Sequence, residues 1–169
     1  FKMQKLFALP LALIISISLA ACSTDGGVET MSENQSNGTA AAGLPVVTGA
    51  AGAEPTITPP TGAAPSAMQT KDLIVGTGGL VLATSTLTVH YVLMAWSTGK
   101  VVESSWSGDP ATFPLSGVIT GWQEGMPGMK IGGRRLLVLP PDKGYGAAGG
   151  GPIGPNETLI FVVDVIGIS

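Results

Sequence analysis

Apolar and polar residues alternate along Leu87-Thr-Val-His-Tyr-Val-Leu93, with Leu87, Val89, Tyr91 and Leu93 on one side. A period of two predicts a strand with one buried face. It turns Tyr91 toward the core, where its hydroxyl needs a partner. Ser97-Thr-Gly-Lys100 is a hairpin-type turn, and Val101-Val-Glu-Ser-Ser105 resumes as strand. Asp72–Val75 reads as a short strand, and Arg134–Leu139 as another, stopped by Pro140-Pro141. Thr158–Ile168 is nearly continuous Ile, Val, Leu and Phe, with Leu159, Phe161, Val163 and Val165 sharing one face. One stretch has the helical period instead. Val118, Ile119, Trp122 and Met126 would form an apolar stripe on a helix capped by Ser116 and stopped by Pro127-Gly128, with Ala111–Leu115 leading in. Gly121 and Gly125 weaken it by roughly 1 kcal/mol each relative to Ala. So short a helix has to be held by something wrapped around it. Strands, one short helix, then strands predict an α+β domain, an antiparallel sheet folded over the helix.

The N-terminal pattern is of another kind. Lys2 and Lys5 precede an apolar run, Leu6–Leu19, that is too short to span a membrane. The run closes on Leu19-Ala20-Ala21-Cys22, which resembles the lipobox of bacterial lipoprotein precursors. That resemblance implies a signal peptide over residues 1–21, cleavage before Cys22 and lipidation of its thiol. It places the protein outside the cytoplasm, anchored to a bacterial membrane. Buried acyl chains hold with about 0.8 kcal/mol per methylene. Residues 22–69 are mostly Ser, Thr, Gly, Ala, Asn and Pro, with Val46-Val47 the nearest approach to a hydrophobic pair. Such a composition predicts a disordered linker. About 45 flexible residues would reach roughly 35–40 Å, a tether for an independent monomeric domain over residues 70–169.

Composition narrows the chemistry. The chain has 169 residues, 25 glycines and 13 prolines, and only 11 % of it is charged. It is too apolar to be wholly disordered and too rich in helix breakers for a bundle. A net charge of −3 gives no electrostatic case for nucleic acid. The single cysteine allows neither a disulfide framework nor a cysteine zinc site. Gly144-Tyr-Gly-Ala-Ala-Gly149 matches the dinucleotide fingerprint in letters, but prolines precede and follow it where a strand and a helix are required. It reads as a ligand-facing loop with Tyr145 as its one large side chain. His90 is the sole histidine, no Gly-x-Ser-x-Gly occurs, and the carboxylates lack metal-loop spacing. Arg134-Arg135 reads as a surface pair.

Six segments then carry a resemblance in order and spacing over roughly residues 70–169. They are Val89-His-Tyr91, Gly99-Lys-Val-Val-Glu-Ser-Ser105, Val118-Ile-Thr-Gly-Trp-Gln-Glu-Gly125, Met129-Lys-Ile-Gly132, Pro141-Asp-Lys-Gly-Tyr-Gly146 and Thr158-Leu-Ile-Phe161. Together they are similar to the FKBP-type peptidyl-prolyl cis-trans isomerase domain. The resemblance implies an antiparallel β half-barrel wrapped around one short α-helix, with Trp122 as the pocket floor and Val118 and Ile119 at its rim. It makes Tyr91, Tyr145 and Phe161 the walls, with the Tyr145 hydroxyl over the mouth and the Ile119 backbone N–H as a donor to substrate. It assigns catalytic positions to Tyr91, Glu103, Ile119, Trp122, Tyr145 and Phe161. It assigns substrate-binding positions to Val102, Phe113, Val118, Ile119, Trp122 and Ile153. The implied partners are proline-containing polypeptides, with macrolide immunosuppressants as further ligands and exported proteins as clients.

The reaction suits such a pocket. Rotation about a peptide bond faces a barrier of about 18–20 kcal/mol because amide resonance is lost. The twisted amide is less polar than the planar one, so an apolar site that excludes water and holds the proline ring favours it. No nucleophile, metal or cofactor is needed. The family usually has an aromatic followed by an aspartate where this chain has Val102-Glu103, and a second aromatic near Phe113. Those departures predict a looser pocket with weaker turnover or altered drug affinity. Two function classes follow, an isomerase assisting folding outside the cytoplasm and a binding module for proline-containing segments.

Overall fold

The computed structural model describes residues 43–169; the predicted signal peptide, Cys22 and the first part of the predicted tether lie outside the described residues. In chain order the strands are β1 (Val47–Thr48), β2 (Thr56–Ile57), β3 (Gln69–Ile74), β4 (Thr86–Ala95), β5 (Lys100–Ser104), β6 (Ala111–Pro114), β7 (Arg134–Leu139) and β8 (Leu159–Ile168). The helix α1 (Thr120–Gly125) lies between β6 and β7, with 3-10 turns at Leu115–Gly117 and Pro141–Lys143. Among the described residues β3, β7, β8, β4 and β5 pair in that order, all antiparallel, and β6 pairs with the first half of β4.

Alternation along the central strands builds two cores. Leu159, Phe161, Val163 and Val165 of β8 face inward with Leu87, Val89, Tyr91 and Leu93 of β4 and Leu137 and Leu139 of β7, closing on Trp122 and Met126 of the helix. The intervening residues Ile160, Val162, Val92, Met94, Leu136 and Val138 form a second apolar layer on the outside. The helix lies tight against the inner face because it carries glycine there. A Cβ at Gly121 would come within 2.5 Å of both Leu139 methyls, so the residue that weakens the helix is the one that lets it pack.

Around the helix the structure corrects the sequence reading at three places. The helix is six residues long, and Val118 and Ile119 precede it in extended conformation. Both are β-branched and lose rotamer freedom in a helix, so the apolar stripe shrinks to Trp122 and Met126. Ser116 lies in the 3-10 turn and makes no capping bond. Ala111–Pro114, expected as a lead-in, is a strand, with Leu87 opposite Phe113 and Val89 opposite Ala111.

The larger corrections concern the back of the sheet. The second part of the predicted linker is folded onto it: β1 and β2 pair, and Ile57 is buried in the outer layer with Leu44 and Val47 packed beside it. Arg134 is also no surface residue. Its side chain is 2 % exposed and forms a forked pair with Asp164, Nε to Oδ1 at 2.6 Å and Nη2 to Oδ2 at 2.8 Å. The remaining donors reach the Gly49 carbonyl at 3.1 Å and the Ala53 carbonyl at 2.6 Å, fastening the turn between β1 and β2 to the sheet. Arg135, on the other face of β7, holds Asp72 of β3 and the Gly125 carbonyl at the end of the helix. Local composition could not report the Arg134 bonds, because their partners lie 30 or more residues away in sequence.

Removing Arg134 leaves a buried carboxylate and two carbonyls without donors. Arg134→Ala should lower the unfolding free energy by about 3–5 kcal/mol in chemical denaturation. Arg134→Met with Asp164→Leu should cost less, because no unpaired charge stays behind. A single variant as stable as the parent would contradict this account of the outer face.

Candidate active site

The inner core is open at one end, around Trp122. Tyr91 and Leu93 come from β4, Glu103 from β5, Phe113 from β6 and Phe161 from β8; Gly117, Val118 and Ile119 come from the segment entering the helix, and Tyr145 from the loop after β7. Together with Trp122 they line a cavity of about 450 Å³. Trp122 is nearly buried, and three rings stand almost edge-on to its indole or close to it. Phe161 lies 5.4 Å away at 83°, Tyr91 5.8 Å at 85° and Phe113 6.1 Å at 88°. Edge-to-face pairs each contribute about 0.5–1.5 kcal/mol beyond buried area, so the box is formed before any ligand arrives.

Polar groups are few and sit at the walls. The Tyr91 hydroxyl donates to Glu103 Oε1 at 2.6 Å. Glutamate thus reaches the phenol despite its extra methylene, and the tyrosine has the partner its inward direction demanded. The peptide joining Val118 to Ile119 is pinned on one side, where Gln123 Nε2 donates to the Val118 carbonyl at 2.7 Å. The Ile119 N–H on the same peptide donates to none of the described residues. Trp122 Nε1 is likewise buried without a partner among the described residues. Tyr145 is 43 % exposed on a loop that the Lys143–Glu124 ion pair, 2.7 Å, ties to the helix.

Of the residues expected from sequence, the structure brings Tyr91, Glu103, Phe113, Val118, Ile119, Trp122, Tyr145 and Phe161 around one cavity. Two do not reach it. Val102 is the residue left without a partner where the β4–β5 register shifts, and it packs against the inner core instead. Ile153 is buried in that core and does not line the cavity. Leu93 and Gly117 line the cavity without having been singled out. Leu93 was legible in the period-two pattern of β4, whereas Gly117 has no side chain to signal it. His90 lies outside the cavity, hydrogen-bonded to Ser105 at 3.1 Å and stacked on Trp106 at 4.3 Å. Cys22 lies outside the described residues.

Burial pushes the Tyr91 phenol well above its ordinary value of 10, and the hydrogen bond and charge of Glu103 act in the same direction. Below that ordinary value both folded and unfolded chains hold the proton and the stabilisation is complete. As pH rises beyond it the unfolded chain loses the proton first, so stability falls with pH in that window. In an ultraviolet titration the protein should therefore keep one phenol protonated until alkaline unfolding, and Tyr91→Phe should remove that late step. A late step that survives the substitution would contradict the assignment.

A family model for the FKBP-type peptidyl-prolyl cis-trans isomerase matches residues 81–166. The chain is 45 % identical over 114 residues to a probable FK506-binding protein of Corynebacterium glutamicum, covering 67 % of this chain and 97 % of that one. It is 42 % identical over 106 residues to the outer membrane protein MIP of Legionella longbeachae, covering 62 % of this chain and 45 % of that protein. Among solved structures, a peptidyl-prolyl cis-trans isomerase from Pseudomonas syringae pv. tomato superposes with a TM-score of 0.56 at 34 % identity, covering 60 % of this chain and 75 % of that one.

Proposed function

The chain belongs to the FKBP-type peptidyl-prolyl cis-trans isomerases, and we propose that it turns Xaa-Pro bonds of exported polypeptides in the cavity over Trp122, as a monomer held to a membrane by lipid on Cys22. The observation that carries the site is the preformed box of Tyr91, Phe113 and Phe161 standing around the Trp122 indole. A proline ring lies on the indole with its faces against the three rings, which excludes water from the amide beside it. The planar amide is the more polar state, so dehydration raises the ground state relative to the twisted one. The free N–H of Ile119 takes the carbonyl next to the proline. Tyr145 closes the mouth with its hydroxyl, and Glu103 keeps Tyr91 oriented as a wall.

Macrolide ligands fit the same cavity, since they offer a ring and carbonyls to the same groups. The name of the Corynebacterium glutamicum relative supports this reading for the ligand class. The name of the Legionella longbeachae relative supports an envelope location, and the sequence ending at Cys22 supports a lipid anchor. Mass spectrometry of the protein from its membrane should find an acylated N-terminal Cys22; a free thiol there would remove the anchor.

The function is tested by cis-trans exchange of a short Xaa-Pro peptide followed by NMR, with residues 43–169 as catalyst. Catalysed exchange should fall at least tenfold in a Trp122→Ala, Tyr145→Phe double variant, a loss of about 1.4 kcal/mol or more in transition-state stabilisation. Peptide line shifts without faster exchange would reduce the chain to a binding module. No effect of either kind would remove the site from this cavity.

A further inference from the structure

Strand β5, which carries the cavity residue Glu103, is an edge strand of the sheet. It pairs with β4 alone, through Val92–Ser104, Leu93–Glu103, Met94–Val101 and Ala95–Lys100, and the register shifts in the middle where Val102 is left over. Glu103 sits beside that shift and carries the carboxylate that holds the Tyr91 hydroxyl. What braces β5 from the other side is the segment folded across the back of the sheet. Ser104 Oγ donates to Glu54 Oε1 at 2.6 Å. Pro59 lies so close to Gly99, in the turn that opens β5, that a Cβ on the glycine would come within 2.8 Å of it. The Trp96 indole N–H reaches the Gly62 carbonyl at 3.3 Å just before that turn.

The other end of the same segment is fixed to a rigid strand. Ala53, the residue before Glu54, gives its carbonyl to Arg134 of β7, which is paired on both edges within the sheet. Ala53 and Glu54 together therefore link a strand paired on both edges to one paired on a single edge. Neighbouring residues on a strand point to opposite faces, so a bond that fixes Ser104 outside also fixes where Glu103 points inside. The family model begins at residue 81 and leaves this brace out.

We propose that residues 44–62 are a positioning element for the isomerase pocket, in which the Glu54–Ser104 bond holds β5 in register so that Glu103 keeps Tyr91 oriented. This rests on the isomerase reading for its effect on turnover, but not for its effect on Tyr91. Neither Glu54 nor Ser104 lines the cavity. The test compares the full chain with Glu54→Ala, Ser104→Ala and Glu54→Gln. It reads kcat/KM on an Xaa-Pro peptide, amide hydrogen exchange strand by strand, and the NMR signal of the Tyr91 hydroxyl proton.

Both alanine variants should lose about fivefold in kcat/KM, a modest fraction of what a misplaced active-site group can cost. They should speed exchange in β5 while leaving β7 and β8 unchanged, and weaken the Tyr91 hydroxyl signal. Glutamine accepts the same hydrogen bond and should restore all three. The proposal is overturned if the Tyr91 signal and β5 exchange are unmoved in the alanine variants. It is also overturned if every strand loosens together and glutamine restores nothing. A parent chain without turnover would sink the isomerase reading alone, and the Tyr91 signal would still decide the role of the brace.

Discussion

Strand β8 is apolar on both faces, with Leu159, Phe161, Val163 and Val165 turned one way and Ile160 and Val162 the other. A sheet built around such a strand has to be covered twice before its burial is complete. The rest of the molecule follows from how the two covers are made. Inside, the six-residue helix with Trp122 and loop residues such as Leu115, Met129 and Ile153 do the covering, and one end stays open. The unfilled end is the cavity. Outside, the cover is a segment with few apolar side chains of its own, so it needs an ionic clasp to stay down.

The two covers differ in what they ask of the chemistry. The outer one spends a buried guanidinium, Arg134, whose charge is met by Asp164 and whose other donors are met by the Gly49 and Ala53 carbonyls. Full hydrogen bonding is what makes a buried charge tolerable there. The inner cover does the reverse, leaving the Ile119 N–H and the Trp122 Nε1 among aromatic walls without partners in the described residues. Donors in an apolar surround cost stability when empty and reward a ligand that brings an acceptor. The clasp at Arg134 is met on every side, while the cavity keeps donors open to a ligand.

How much of this the sequence revealed depends on the range of the interactions. The inward direction of Tyr91, the shared face of Leu159 to Val165 and the turn at Ser97–Lys100 are local patterns, and each was legible. Six short segments in register supplied the family and most of the cavity, because the residues around a pocket recur together. The start of the helix was misplaced, since Val118 and Ile119 fit a helical stripe by spacing while their β-branched side chains favour extended backbone. Val102 and Ile153 were expected at the ligand and lie against the inner core. The deepest error was the second part of the linker: Leu44, Val47 and Ile57 are too sparse to signal a fold. What seats them is the distant Arg134 guanidinium, with sequence separations of 81 and 85 to the carbonyls it holds. Arg134 itself looked like half of a surface pair, because nothing near it in sequence tells that it is buried.

The central claim is that a proline ring lies on Trp122 while its amide turns. Nuclear Overhauser contacts between a bound Xaa-Pro peptide and the protein test it directly, because the chain has only three tryptophans and only Trp122 is in the cavity. Contacts are expected from the proline ring protons to the Trp122 indole and the Phe161 ring. Contacts to Trp96 or Trp106 instead, with exchange still catalysed, would contradict the claim and move the reaction to another face of the sheet.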